Sequence, residues 1–200
     1  MRALKLADPV ERGVVLLFYS WLVWRNVADG TLGWGILQVV SEGLIVVFTI
    51  FRRPAVDISV RPLDWGLALG ATVLPMLATG GVGEHHVPGG IAVLLLLGGL
   101  GVQIVAKLWL GTRFGLVAAR RGLATGGPYR WVRHPIYAGY LLTHLSIASM
   151  NATPVNLAVY AAAWTLQIPR LLAEERLLAA DPAYLAYLSA VKWRLVPGVF

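Results

Sequence analysis

Residues 90–110 read GIAVLLLLGGLGVQIVAKLWL, an apolar run with one charge, Lys107, near its end. Roughly 20 apolar residues in a helix cross a hydrocarbon core of about 30 Å, so this stretch is predicted to be a transmembrane helix. The composition of the whole chain agrees. Of its 200 residues, 58% are hydrophobic and 14% charged, against about 45–50% and about 25% in an average soluble domain. Mean hydropathy is +0.69. A soluble fold of this size needs more polar residues to cover its surface. A soluble globular domain, a disordered chain and a collagen-like chain are therefore excluded. Cysteine is absent, which removes disulfides, thiolate metal sites and cysteine nucleophiles.

Five further apolar stretches flank this one, at residues 13–24, 32–51, 63–79, 136–150 and 155–168. The first is short and bounded by Arg12 and Arg25. No small-residue cleavage site follows it, so it is expected to stay in the mature chain. The last two are joined only by Asn151-Ala-Thr-Pro154, which predicts a tight helical hairpin. Sixteen of the 17 lysines and arginines fall in residues 1–12, 52–61, 107–134 and 170–194, and only Arg25 stands apart. With six spans these four segments share one face, which the positive-inside rule makes cytoplasmic. The net charge of +7 then reflects topology, and no nucleic-acid partner is expected. The predicted fold is all-α: a polytopic integral membrane protein of about six transmembrane helices with both termini cytoplasmic.

Small residues mark where helices can approach closely in lipid: Gly66 and Gly70 on the third span, Gly98, Gly99 and Gly101 on the fourth. Trp21, Trp24, Trp34 and Trp65 sit near span ends, as interfacial anchors do. Polar residues concentrate in two stretches of the basic face. Residues 123–139 read LATGGPYRWVRHPIYAG, a loop that enters the fifth span at Pro135. Proline is favourable in a first helical turn, and the helix start turns free N–H donors and a positive dipole toward the loop. With Arg130, Arg133 and His134 around it, this is a site for an anion such as a carboxylate, or a basic loop touching lipid phosphates. Residues 169–200 continue the sixth span. Arg170 and Glu174 share a helix face with Glu175 beside them. Pro169 is predicted to kink the helix there. Asp181-Pro182 reads as an N-cap and first turn of a short helix carrying Tyr184, Tyr187 and Val191 on one face.

Together the two stretches resemble the isoprenylcysteine carboxyl methyltransferase family, which is related to phospholipid N-methyltransferases. The pattern L-x-T-x-G-P-Y-R-x-x-R-H-P-x-Y-x-G is met by Leu123, Thr125, Gly127, Pro128, Tyr129, Arg130, Arg133, His134, Pro135, Tyr137 and Gly139. An acidic pair, Glu174 and Glu175, follows, then Tyr184, Tyr187, Val191, Arg194 and Pro197. The chain departs from the pattern at Asp181-Pro-Ala and at Pro169. The resemblance covers about the last half of the chain and implies one domain over residues 1–200: residues 1–88 hold spans without a motif and residues 89–200 the catalytic half.

The resemblance further implies a cytoplasmic pocket for S-adenosylmethionine, formed by the two stretches, and a lipophilic acceptor from the bilayer, either a membrane lipid or a lipophilic small molecule. Arg133, His134 and the helix start would receive the cofactor carboxylate. Glu175 or Glu174 would receive its ammonium or ribose hydroxyls. Tyr129, Tyr137, Tyr184 and Tyr187 offer ring faces to the adenine and the sulfonium, and Arg194 belongs to the same cofactor set. Methyl transfer demands positioning above all. Arg170 would orient a carboxylate acceptor, and Glu174 would deprotonate an amine or thiol. The cysteine-free chain, rich in Ala, Leu, Gly and Arg, points to a bacterial inner membrane.

The runner-up is an NAD(P)H-dependent sterol-type membrane reductase, which shares an R-H-P-x-Y-x-G arrangement; Ile136, Ala183 and Leu185 depart from that class. A non-enzymatic membrane scaffold gives no reason for tyrosines, arginines and glutamates to gather on one face. Within the spans, Gln38 and Glu42 share a helix face and either line an acceptor cavity or pair with a neighbouring helix. Gln103 and Lys107 form a similar pair, with Gln103 a cavity candidate and Lys107 expected to snorkel to the headgroups. His144 is expected to hydrogen-bond a neighbouring helix. Glu84-His85-His86 reads as a solvated turn rather than a metal site, and no metal is expected.

Overall fold

The structure is a computed structural model that describes residues 2–28, 35–78 and 88–200, with side chains described from residue 6 and from residue 36 in the first two segments. Trp34 and the Glu84-His85-His86 trio lie outside the described residues. Seven α-helices are found among those described: α1 (Arg2–Ala28), α2 (Gly35–Ile50), α3 (Pro62–Val73), α4 (Gly89–Leu110), α5 (Pro135–Met150), α6 (Pro154–Leu178) and α7 (Pro182–Ala190). The first six contain or closely match the six apolar stretches. By length and composition, Gly89–Arg113 is the one described helical stretch long and apolar enough to cross a membrane; Ile36–Ile50 and Pro62–Leu77 are shorter apolar helices.

The local signals act as expected at most helix ends. Proline opens α3, α5, α6 and α7 within their first turns. The Thr153 hydroxyl accepts from the Asn156 N–H at 3.1 Å, and the Asp181 carboxylate from the Ala183 N–H at 3.0 Å. Each cap satisfies an otherwise orphaned donor. Pro169 lies inside α6, which nonetheless runs unbroken to Leu178, so the expected kink does not end the helix. The helical class has a small exception. Asp57–Ile58 (β1) pairs antiparallel with Ala119–Arg120 (β2), tying the α2–α3 connection to the loop after α4.

Close packing centres on α4 and α5. A Cβ on Gly99 would stand 2.8 Å from the Gly139 carbonyl, and one on Gly139 would stand 2.7 Å from the Gly99 carbonyl. Only glycine at both positions lets the two backbones meet there. Gly70 is similarly covered by Leu166, whereas Gly66, Gly98 and Gly101 face open space. The Asn151–Pro154 connection is tight, yet α5 and α6 do not pack as a hairpin. α5 lies along α4, and α6 along α3.

The four basic segments meet at one end of the bundle. There the starts of α1, α3 and α5 join the ends of α2, α4 and α6. Glu11, fully buried in α1, takes hydrogen bonds from Arg52 after α2 and from Arg121 after β2, the latter at 2.9 Å. Its other oxygen accepts the N–H of Leu116 at 2.5 Å. Asp8 pairs with the same two arginines. Across the bundle Arg176 of α6 reaches Asp64 in the first turn of α3 at 2.7 Å.

Lys107 corrects the snorkelling expectation. Its side chain is 1% exposed, and its ammonium donates to the Ser41 carbonyl at 3.1 Å and hydroxyl at 2.6 Å, with Glu42 at 3.9 Å. Three acceptors on α2 compensate the burial of the charge, so the lysine turns inward instead of outward.

Glu11→Ala would leave the buried Arg52 and Arg121 with only the partly exposed Asp8 as shared counter-ion and orphan the Leu116 N–H. Unfolding free energy in detergent should fall by about 3–5 kcal/mol. Thermal melts of the two proteins measure it; a loss below about 1 kcal/mol would show the cluster to be dispensable.

Candidate active site

The loop of residues 123–134 crosses the basic end of the bundle. Gly126 and Gly127 are pressed against the Trp109 indole, and Gly127 has φ +55°. A side chain at either would collide with the ring, and at Gly127 it would also strain the backbone. The loop then turns through a short 3-10 segment at Gly127–Arg130 and enters α5 at Pro135 with His134 as N-cap. It is fastened to the C-terminal tail by backbone bonds from the Arg133 and His134 N–H groups to the Trp193 and Arg194 carbonyls, each at 2.9 Å.

Glu175, near the end of α6, is the hub of the side-chain network. Its Oε1 receives Arg133 Nη1 at 3.2 Å and lies 3.2 Å from His134 Nε2; its Oε2 receives Arg194 Nε at 3.0 Å. Partial burial disfavours the charge, but the hydrogen bonds from His134, Arg194 and Arg133 outweigh it and hold the carboxyl down to about 2. Arg133 is fully engaged. Besides Glu175 it donates to the Val191 carbonyl at 2.7 Å and the Leu188 carbonyl at 3.3 Å, capping the C-terminal end of α7. α7 is anchored a second time where the Tyr187 hydroxyl donates to the Tyr129 carbonyl at 2.7 Å.

Beside this network lies a cavity that opens to solvent. Its wall brings together most of the residues singled out from sequence: Tyr129, Tyr137, Tyr184 and Tyr187, with Arg133, His134, Arg170 and Glu174. Glu175 and Arg194 do not line it; they stand behind the wall and hold it. Tyr140, which the motif reading passed over, lines it as well. Burial pushes the Tyr129 and Tyr184 phenols up, and Tyr187 up to about 12. All three therefore stay neutral at physiological pH and present rings and hydroxyl groups. The Tyr184 hydroxyl is buried and has no partner among the described residues. Glu174 accepts the Tyr137 hydroxyl and lies 3.9 Å from His134 Nδ1 and from Arg170 Nε.

Arg170 is 7% exposed. It donates to the Thr72 hydroxyl at 3.2 Å and the Leu116 carbonyl at 2.8 Å, with Tyr137 under its guanidinium. It also lines a second, roomier cavity between the helices, and among the described residues Tyr140 and Arg170 alone belong to both. Gln38, Glu42 and Gln103 are on the wall of this second cavity. Gln38 donates to Glu42 at 2.8 Å, and Gln103 to the Thr143 hydroxyl at 3.4 Å. His144 corrects an expectation. Its Nδ1 has no hydrogen-bond partner among the described residues, and its ring packs instead on Tyr160 and Trp164 of α6. Sequence reasoning missed the buried cluster at Asp8, Glu11, Arg52 and Arg121, because its members lie far apart in the chain and match no local pattern.

The ionised state of Glu175 lies below the ordinary carboxyl value of 4.5 in the folded chain. Its stabilisation is thus present above that pH and is lost as pH falls toward about 2. Glu175→Gln should abolish this acid-side loss and cost about 1–3 kcal/mol at neutral pH. Melts recorded across pH decide it; identical acid limbs in both proteins would show that Glu175 is not coupled to folding.

Residues 99–180 match the isoprenylcysteine carboxyl methyltransferase family. The match begins at the glycine against which α5 packs and includes the loop and the acidic pair; the tyrosine pair and Arg194 follow it. The cobalt-zinc-cadmium resistance protein CzcN of Cupriavidus metallidurans is 37% identical over 101 residues, which are 48% of this chain and 45% of that protein. The chain thus aligns with about half the length of that curated relative. Neither comparison supports a reductase. Over residues 99–180 the chain is similar to the isoprenylcysteine carboxyl methyltransferase family of membrane methyltransferases, as the motifs at its basic end imply.

Proposed function

We propose that the chain transfers a methyl group from S-adenosylmethionine to an acceptor drawn from the bilayer. The observation that carries this reading is a pair of neighbouring cavities whose walls share Tyr140 and Arg170. One cavity suits a polar cofactor and the other, among the helices, suits the acceptor. The donor set of the first fits S-adenosylmethionine: tyrosine rings for an adenine and a sulfonium, a carboxylate, a helix start, and the unpartnered Tyr184 hydroxyl. When bound, the cofactor supplies the methyl group from its sulfonium.

The chain's own residues do the rest. His134 and the first turn of α5 attract the cofactor carboxylate. Tyr129, Tyr137, Tyr184 and Tyr187 enclose the adenine and the sulfonium, and Glu174 meets the ammonium or the ribose hydroxyls. Arg133, Glu175 and Arg194 act through the wall they hold in place. Arg170 faces the acceptor's reacting group and orients it. A carboxylate there arrives ionised and needs no base, so positioning carries the step; an amine or thiol would give its proton to Glu174. Gln38, Glu42 and Gln103 contact the acceptor's body. We place the chain in a bacterial inner membrane with six spans, both termini and the cofactor cavity on the cytoplasmic side.

Calorimetry with S-adenosylhomocysteine tests the cofactor site. His134→Ala should weaken binding by about 1.5–3 kcal/mol, roughly tenfold to a hundredfold. Unchanged affinity in a folded variant removes His134 from the site. Glu174→Gln preserves shape, and Arg170→Lys preserves charge while losing the planar fork. Each should cut methyl transfer by about 3–4 kcal/mol, a hundredfold or more, with little change in melting temperature. If both turn over normally, the pair is structural. For topology, reporter fusions at residue 86 and at the C-terminus should give opposite signals, and matching signals would sink the six-span arrangement.

A further inference from the structure

Arg170 is oriented by groups that its own helix does not supply. Glu174, one turn further along α6, lies 3.9 Å from Nε, too far for a hydrogen bond. Both ends of the guanidinium fork are held elsewhere. Nη2 donates to the Leu116 carbonyl at 2.8 Å, and Nη1 to the Thr72 hydroxyl of α3 at 3.2 Å. Thr72 in turn donates its own proton to the Ala68 carbonyl, one turn back in α3, at 2.7 Å. A hydroxyl carries one proton and two lone pairs. With the proton placed on Ala68, Thr72 can only accept toward Arg170, so the contact has a single sense. The fork is thereby turned away from the acidic pair by a helix that carries no motif.

Arg170 is buried, and a buried donor stripped of its acceptor costs more than an ordinary hydrogen bond contributes. A freed Nη1 would therefore take another acceptor. Glu174 is the one carboxylate within 4 Å of Arg170 among the described residues. A direct guanidinium–carboxylate pair there would be charge-assisted and stronger than a contact with a neutral hydroxyl. It would occupy the oxygens that Glu174 has not already turned to the Tyr137 hydroxyl. Glu174 lines the first cavity, whereas Thr72 lines only the second. We propose that Thr72 is a positioning residue: by holding Arg170 Nη1 on α3 it keeps Arg170 and Glu174 apart, and leaves the Glu174 carboxylate free to meet the cofactor. This deepens the methyltransferase reading and rests on the first cavity being the S-adenosylmethionine site.

The test is calorimetry of S-adenosylhomocysteine binding to the full chain in lipid nanodiscs, which needs no acceptor. Thr72→Val keeps the shape and removes the lone pairs, and should weaken binding about tenfold. Thr72→Ser keeps the hydroxyl and removes the methyl, and should bind within twofold of the unsubstituted chain. A packing defect would rank these two variants in the opposite order. In an Arg170→Met background there is no fork to hold, so Thr72→Val should change affinity no further. Thr72→Ala carries the same expectations if Thr72→Val loses its fold, and melting curves of every variant establish folding. Equal affinity with and without the hydroxyl overturns the proposal. So does equal weakening by valine and serine, or an undiminished effect of Thr72→Val when Arg170 is methionine. Each of these results leaves the methyltransferase reading standing. Failure of the unsubstituted chain to bind S-adenosylhomocysteine would overturn that reading, and this proposal with it.

Discussion

Glu175 is the point on which the arrangement of the basic end depends. One carboxylate on α6 gathers Arg133 and His134 from the loop before α5 and Arg194 from the C-terminal tail. These residues are far apart in the chain. Three cationic or dipolar partners compensate the partial burial of a single charge. Arg133 passes the constraint on, since its remaining nitrogens hold the last carbonyls of α7. The short helix with Tyr184 and Tyr187 is thereby fixed against the start of α5. A cavity wall made from three separate segments becomes one rigid surface.

A second electrostatic centre governs the other side of the same end. Glu11 anchors Arg52 and Arg121 and also the N–H of Leu116. The Leu116 carbonyl in turn receives Arg170. The N-terminal helix thus positions, through one loop residue, the arginine that lines both cavities. The N-terminal half carries no motif but supplies this support, together with α1, α2 and α3 residues that wall the second cavity. Removal of such a buried partner leaves uncompensated charge, so its effect is large and spreads along the chain of contacts.

The legibility of these features in the sequence follows their range. Helices α2 to α6 were readable because apolar runs and first-turn prolines are local signals, and Gly99 was readable as a packing position. The loop motif and acidic pair were readable because their spacing is fixed within each segment. Lys107 misled because a lysine near a span end usually has water within reach, and nothing local reveals Ser41 and Glu42 on the facing helix. The α5–α6 hairpin misled for a related reason. A tight turn sets where two helices start, not what they pack on. The mutual approach of Gly99 and Gly139 draws α5 onto α4, and Leu166 over Gly70 draws α6 onto α3. The division of labour between Glu174 and Glu175 was also beyond the sequence, since adjacent glutamates point to different sides only once the helix is placed.

That packing choice creates the space in which the proposed chemistry would occur. Two helices joined by a three-residue turn would normally close on each other and leave no gap. Here glycine contacts pull each one toward a different neighbour, and the volume between them remains open from Arg170 upward. Membrane helices gain little from hydrophobic collapse among themselves, so small-residue contacts decide which pairs close and which stay apart.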